Sequence, residues 1–227
     1  MKILITGASR GIGKAEASLL AQQGHELFLT ASTLDSFAEP VAGATLLGVD
    51  VSEADFDVKL AEALSQKTDR IDVLVNNVGV MVMKRFADLS REEIDQTLDV
   101  NLRSALLTTR AALPFLKKSE APQVVFMSSM AAKSYIVGES VYSATKAALS
   151  SFAAVLRNEM GPHMKISTIH CWGVNTFGSD EKTLLEPENI AEALDFILSR
   201  DKDVLVESID LGHIGQWRGG EAPWSPK

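Results

Sequence analysis

The chain holds one cysteine, Cys171, in 227 residues. It can form no intrachain disulfide, which suits a reducing compartment. No stretch approaches the ~18 apolar residues that a membrane-crossing helix needs. Only Ile3 to Thr6 stand between Met1-Lys2 and the first glycine, too few for the apolar region of a signal peptide. Basic charge is scarce as well: 22 Lys and Arg face 30 Asp and Glu, for a net charge of −8. Nucleic-acid binders show the opposite balance. His163 and His170 lack partners at metal-ligand spacing, and no repeat, low-complexity run or linker interrupts the chain. The expectation is a cytoplasmic protein with no metal and with neither nucleic acid nor membrane as partner.

What is present is ordinary globular composition, 46% hydrophobic and 23% charged, with a mean hydropathy of +0.08. A domain of this length buries about 70% of its unfolded surface and needs no staples. Short aliphatic runs at Lys2–Thr6, Glu26–Thr30, Thr45–Gly48, Val73–Val75, Gln123–Met127, Lys165–His170 and Val204–Ile209 read as strands. Most are continuously apolar, as in strands buried on both faces of a parallel sheet. Helical patterns fill the gaps. Ile12 to Gln23 places Ile12, Ala15, Leu19 and Leu20 on one side, with Gly24 as a stop. Ser90 and Glu93 have capping-box spacing at the head of a helix running to Lys117. Tyr142–Met160 ends at Gly161-Pro162, and Pro187 opens a last helix with Ile190, Leu194, Ile197 and Leu198 as its apolar face. This alternation predicts a doubly wound α/β domain over 1–211, a parallel sheet of about seven strands with helices on both faces. An irregular tail is expected over 212–227.

Strand one runs into Thr6-Gly7-Ala8-Ser9-Arg10-Gly11-Ile12-Gly13, and a helix follows at once. Glycines at such a turn let backbone approach a pyrophosphate, while the helix N-terminus offers free N–H groups. Dinucleotide binding is the expectation. The second strand closes on Ser32-Thr33 with no carboxylate before Asp35. An acid there would accept from the ribose 2′-OH of NAD and repel the 2′-phosphate of NADP. Its lack, with Arg10 in reach of a phosphate, favours NADP(H) over NAD(H). Lys14 and Lys146 add local positive potential.

Tyr142 and Lys146 lie one helical turn apart on one face. A phenol of pKa ~10 is a poor base at neutral pH, and lowering it to ~7 takes about 4 kcal/mol of differential stabilisation. A nearby ammonium and an oxidised nicotinamide both favour the phenolate. Ser129 follows the fifth strand, where the carboxyl ends of a parallel sheet present ligand-facing residues, and its hydroxyl can hold a carbonyl beside the tyrosine.

Taken together, these residues resemble the short-chain dehydrogenase/reductase family, in its shorter, non-extended branch, from Ile3 to about Leu211. The glycine turn, running Gly7, Ser9, Arg10, Gly11, Ile12, Gly13, matches the family's T-G-x-x-x-G-x-G. Asp50-Val51 resemble its adenine-holding pair, and Asn76-Asn77-Val78-Gly79 its N-N-A-G segment with Val for Ala. Asn101 matches the asparagine whose helix distortion holds a water in the proton relay. Ser129, Tyr142 and Lys146 match the catalytic serine, tyrosine and lysine. The resemblance implies a Rossmann-type oxidoreductase that passes hydride between NADP(H) and a small carbonyl or alcohol. Tyr142 would be its general acid/base, Lys146 would lower the tyrosine pKa and hold the nicotinamide ribose, and Ser129 would orient the substrate oxygen.

One motif departs from the pattern. Where the family has P-G-x-V-x-T, the chain reads Cys171-Trp172-Gly173-Val174-Asn175-Thr176. Val174 and Thr176 keep the nicotinamide contacts, while the Trp172 indole either walls the substrate pocket or packs in the core. The altered turn leaves a second reading open, a catalytically idle NADP(H)-binding sensor, and lyase or epimerase use of the tyrosine is a third. Only Phe177 to Glu186 separate Thr176 from Pro187, so an open pocket is expected, with Met130, Tyr135, Ile136, Trp172 and Phe177 as substrate contacts. The helices over Ser90–Lys117 and Tyr142–Met160 are apolar on more than one side, Ala147, Ala148, Phe152, Val155 and Leu156 spreading around the second. Equivalent helices pair across a twofold axis in the family, which implies a homodimer or homotetramer.

Overall fold

In a computed structural model, residues 1–216 are described. Seven strands form one wholly parallel sheet: β1 (Lys2–Ile5), β2 (Glu26–Ala31), β3 (Thr45–Gly48), β4 (Val73–Asn76), β5 (Gln123–Met127), β6 (Lys165–Cys171) and β7 (Ser208–Leu211). Their order is β3-β2-β1-β4-β5-β6-β7, so the direction of winding reverses between β1 and β4. Open sheets of this kind bind ligands outside the carboxyl ends of the strands at that switch point.

The apolar runs are continuous because each strand feeds two cores. Ile3, Ile5, Leu27, Leu29, Val73 and Val75 face helices α1 (Gly11–Gln22) and α6 (Pro187–Leu198). The residues between them, Leu4, Phe28 and Leu74, join Val124 and Phe126 against α2 (Phe56–Ser65), α4 (Ser104–Leu116) and α5 (Ser140–Met160). Each helix buries its stripe on one of these faces. Gly24 terminates α1 in the left-handed region, at φ +80°. Glu186 caps α6 reciprocally with Asn189, ahead of Pro187 in the first turn. Among the described residues no helix is long and apolar enough to cross a membrane.

Four sequence expectations need correction. Helix α2 was not foreseen, although Phe56, Leu60 and Leu64 recur every fourth residue and are all buried. The helix expected from Ser90 to Lys117 is interrupted. Its cap forms as predicted, Ser90 Oγ accepting from Glu93 N at 3.2 Å and Glu93 Oε2 accepting from Ser90 N at 2.9 Å. After α3 (Arg91–Leu98), however, Asp99–Arg103 winds as a π-helical turn before α4 begins. The last strand starts at Ser208 rather than Val204. Val204–Glu207 is engaged earlier by side chains, Ser167 Oγ donating to Val206 O at 2.7 Å and Lys165 Nζ to Val204 O at 3.4 Å. Of the expected tail, residues 214–216 form a short 3-10 turn, and everything past 216 lies outside the described residues.

The fourth correction lies on α1. Its buried stripe is Gly13, Glu16, Ala17 and Leu20, while Ile12, Ala15 and Leu19 are only half-buried. Glu16 is fully buried, and neither carboxyl oxygen has a hydrogen-bond partner. Burial pushes its pKa up to about 8. The folded protein therefore keeps a proton that the unfolded chain, with an ordinary value of 4.5, releases. The folded state binds more protons between those values, so stability falls as pH rises through that window. Each unit of difference is worth about 1.4 kcal/mol, so the loss amounts to a few kcal/mol. Glu16→Gln should remove this slope, with a higher Tm than the parent at pH 8 and little difference at pH 4. Thermal unfolding across that range checks it, and parallel Tm curves for the two proteins would contradict it.

Candidate functional site

The turn after β1 takes its shape from glycine. Gly7 and Gly11 have φ of +65° and +54°, which side chains resist, and a Cβ on Gly13 would lie 2.5 Å from Gly7 O. The turn is pinned to its neighbours. Ala8 N donates to Thr30 O at 3.0 Å, and Asn77 Nδ2 donates to Thr6 O at 2.9 Å and Gly7 O at 3.1 Å. Thr6 Oγ1 accepts from Asn77 N at 3.0 Å, joining the ends of β1 and β4. Arg10 precedes α1 without capping it, so the first N–H groups of the helix point outward unpaired by that side chain.

A cleft of about 370 Å³ opens over this turn at the switch point. Its wall takes in Gly7, Ser9, Arg10, Gly11 and Ile12, then Ser32 beyond β2, Asp50 and Val51 beyond β3, Asn77, Val78 and Gly79 beyond β4, and Thr176 and Phe177 beyond β6. Sequence reasoning missed Thr30, Ala31, Val49 and Val80, which also line it and which sit at or just past strand ends. Gly13 and Thr33 support the wall from behind or beside it. A Cβ on Gly13 would meet Asn77 Nδ2 at 2.6 Å, and Thr33 Oγ1 shares a hydrogen bond with Ser36 at 3.0 Å. Asp50 is committed locally, Oδ1 accepting from Ser52 N at 2.9 Å and Ser52 Oγ at 2.7 Å. Lys14 is engaged by Glu39 at 2.5 Å, so the positive potential expected of it is spent on that pair. The Arg10 guanidinium lies 5.9 Å from the Phe177 ring. A larger cleft, about 570 Å³, opens elsewhere and is lined by Lys117, Pro162, Lys165 and Asp203 with none of the expected site residues.

Next to the first cleft the structure gathers Asn101, Ser129, Tyr142 and Lys146. Lys146 is buried, and its Nζ donates to Met127 O at 2.8 Å and lies 5.7 Å from the Tyr142 ring centroid. Burial lowers its pKa to about 8. Tyr142 moves the other way, up to about 12, because burial outweighs the Ser129 hydroxyl that hydrogen-bonds the phenol. The lowered tyrosine expected from its neighbouring lysine is thus not what the free protein has. Desolvation of the phenolate dominates. Ser129 Oγ also accepts from Ala131 N at 3.1 Å and donates to Cys171 O at 3.4 Å.

Asn101 sits in the π-helical turn, fully buried. It clasps Val80 at both backbone atoms, Oδ1 accepting from N at 2.7 Å and Nδ2 donating to O at 2.8 Å. Gly79 is where this residue meets the lysine: a Cβ there would come within 3.4 Å of Lys146 Nζ and 3.5 Å of Asn101 Oδ1. Behind them Ser128 Oγ and Ser150 Oγ both donate to Lys146 O, at 3.1 and 3.0 Å.

In the altered turn after β6 the Trp172 side chain is half-buried. The Trp172 indole lies against Gly212, where a Cβ would be 2.5 Å from its Cδ1, while Trp172 N donates to Leu211 O at 2.9 Å. The ring is packed on the end of β7. Val174 bridges to Leu185, and Thr176 covers Gly11, 3.2 Å from where a Cβ would be. Of the other expected substrate contacts, Met130 is half-buried beside Ser129, Tyr135 and Ile136 are exposed, and Phe177 stands on the glycine turn.

A family profile described as short chain dehydrogenase matches residues 1–185. The chain belongs to the short-chain dehydrogenase family. It is similar to an uncharacterised oxidoreductase of Staphylococcus aureus, 28% identical over 219 residues that cover 92% of this chain and 95% of that one. An uncharacterised oxidoreductase of Listeria monocytogenes is also 28% identical, over 98% of this chain and 97% of its own. Among solved structures, the alcohol dehydrogenase of the archaeon Thermococcus sibiricus, complexed with 5-hydroxy-NADP, superposes with a TM-score of 0.87 at 30% identity, covering 96% and 99% of the two chains. Short-chain dehydrogenases are oxidoreductases acting on small molecules, and this chain is one of them by fold and by sequence.

Proposed function

We propose that this short-chain dehydrogenase reduces a carbonyl compound with NADPH, Tyr142 delivering the proton. The observation that carries the reading is the convergence of Tyr142, Ser129 and Lys146 in a desolvated corner beside a glycine-turn cleft. The phenol, pushed up to about 12 by burial, carries its proton at neutral pH and so can donate it only to a strongly basic oxygen. Carbonyl reduction needs such a donor, because the oxygen that receives it becomes a stronger base as it turns into alkoxide. Ser129 presents a hydroxyl to the same oxygen, and Lys146 supplies a fixed positive charge close to it until pH passes about 8. The idle-sensor alternative finds no support in a site whose four polar groups are all in place.

The cleft fits a dinucleotide in its backbone. Gly7, Gly11 and Gly13 leave space that side chains would fill, and α1 aims its N-terminus there. Asp50 and Val51 would hold the adenine, Asn77, Val78 and Gly79 the central segment, and Val174, Thr176, Tyr142 and Lys146 the nicotinamide end. When bound, the dinucleotide supplies the hydride. Among the described residues no carboxylate at the end of β2 lines the cleft, where Ser32 stands with Thr33 beside it, and Arg10 stands at the edge; both features suit a 2′-phosphate. The archaeal structure holds an NADP derivative in the same fold.

An assembly fits the exposed side of α5, where Ala147 is open and Val155 is 53% exposed. An apolar surface beyond one stripe needs a partner, and a second copy of this helix would cover it. A homodimer or homotetramer is expected by light scattering at micromolar concentration, and a monomeric mass would contradict it.

Two substitutions test the chemistry. Tyr142→Phe should cut reductase turnover by 10²–10⁴-fold with NADPH affinity little changed, whereas Lys146→Ala should damage both. Turnover unaffected by Tyr142→Phe would sink the mechanism. Arg10→Ala should erase most of the preference for NADPH over NADH, worth roughly 1.5–3 kcal/mol for a charge-assisted phosphate contact. Equal dissociation constants for the two cofactors in the parent protein would overturn that assignment.

A further inference from the structure

We propose that the mouth of this site accepts a carbonyl compound bearing an extended apolar arm, laid along Met81, Met83, Tyr135, Ile136 and Val137. The proposal rests on the reading of Tyr142 as proton donor. It enlarges the expectation of a small substrate, since Met81, Met83 and Val137 had no assigned place.

Two loops leave the site together. One follows Gly79 and is held at its root by the double hydrogen bond between Val80 and Asn101. The other follows Ser129 through a short 3-10 turn and returns at Glu139, three residues before Tyr142. The first loop is tied to the returning limb of the second, Lys84 N donating to Gly138 O at 2.9 Å. Gly138 has φ +94°, and a Cβ on it would come within 3.3 Å of Met83 Cγ. The loops therefore form one rim that starts at the reacting groups and runs outward.

That rim is apolar and open. Met81 is 56% exposed, Met83 60%, Tyr135 98% and Val137 78%. Exposed apolar side chains gathered on two tied loops mark a place where something binds. The lysines of the two loops are already neutralised by the protein itself, Lys84 by Glu93 and Lys133 by Asp210 at 2.6 Å. The remaining charges are Arg85 and Asp88, beyond the tie, and Glu139, which is buried. An anionic arm would find the two loop lysines occupied, while a hydrocarbon arm would find five apolar side chains open to it. Among the described residues, the segment after Thr176 is held away from these two loops. Phe177 stands over the glycine turn, and Asn175 ties the segment back to Ser179 and Glu186 at the start of α6. The continuity of the rim with Ser129 and Tyr142 argues for an arm of the substrate as its occupant over a second protein surface.

Each methylene moved from water onto such a surface should raise kcat/KM about two- to fourfold. Straight-chain aldehydes from propanal to decanal with NADPH should show that climb, carried by KM. Met83→Ser and Val137→Ser should lower kcat/KM for decanal far more than for propanal. Calorimetric titration of the NADPH-loaded protein with 1-butanol to 1-decanol gives a second readout, a dissociation constant that falls with each methylene in the parent and flattens in the variants. Aldehydes reduced at rates independent of length would overturn the apolar arm and leave the reductase reading intact. No reduction at any length, with alkanol affinity still climbing, would support the arm site and sink the reductase. If the serine variants instead break up an oligomer and leave both length dependences unchanged, the rim is a subunit contact and the proposal fails.

Discussion

A buried ammonium sets the terms for the whole site. Lys146 is 4% exposed, and among the described residues its direct hydrogen-bond partner is one carbonyl, Met127 O. Keeping a charge in such a place is expensive unless its surroundings are polar and fixed. Every neighbour is accordingly anchored. Ser128 and Ser150 hold the backbone of the same turn, Asn101 is clamped to Val80, and Gly79 leaves the space between Asn101 and the ammonium open. The same desolvation that lowers the lysine raises the tyrosine, so the two values move apart with the lysine below the tyrosine, the reverse of what a simple charge pair would give.

The sheet brings these groups to one end because all its strands run the same way. In an all-parallel order every carboxyl terminus opens on one edge, and the reversal between β1 and β4 leaves a gap there for the glycine turn. The gap is closed from below by Asn77, whose carboxamide satisfies two carbonyls of the turn. Proton donor, hydroxyl and ammonium thus meet beside a cleft shaped for phosphate backbone. The rim of exposed methionine, tyrosine and valine continues from them outward.

Much of this was legible in the sequence where a local rule and the global fold agree. Unbroken apolar runs announced a sheet buried on both faces, Ser90 with Glu93 and Pro187 marked helix starts, and the glycine turn stood where a phosphate cradle belongs. The failures share a cause: tertiary context overrode a local pattern. Glu16 is hidden in a helical stripe that its charge disguised. The helix from Ser90 breaks at Asp99–Arg103, where Asn101 is bound to a strand end distant in sequence. The last strand begins late because Lys165 and Ser167 engage the residues before it. The direction of the Trp172 ring depends on Gly212, forty residues onward, and no periodicity reports such a contact. The lowering of the tyrosine pKa expected from an ammonium and an oxidised nicotinamide belongs to the loaded site, whereas in the free protein burial pushes the phenol up to about 12.

The central claim is that Tyr142 sits buried beside Ser129 and Lys146 and holds its proton until something in the site draws it off. The chain has two tyrosines, so Tyr135→Phe leaves Tyr142 as the only phenol. Its ionisation can then be read directly from the phenolate absorbance, with circular dichroism reporting how long the fold persists. In the free protein the phenolate band should stay absent through the ordinary tyrosine value of 10.0 and rise only toward about 12. A phenolate that grows in at or below the ordinary value, while the chain is still folded, would contradict the account.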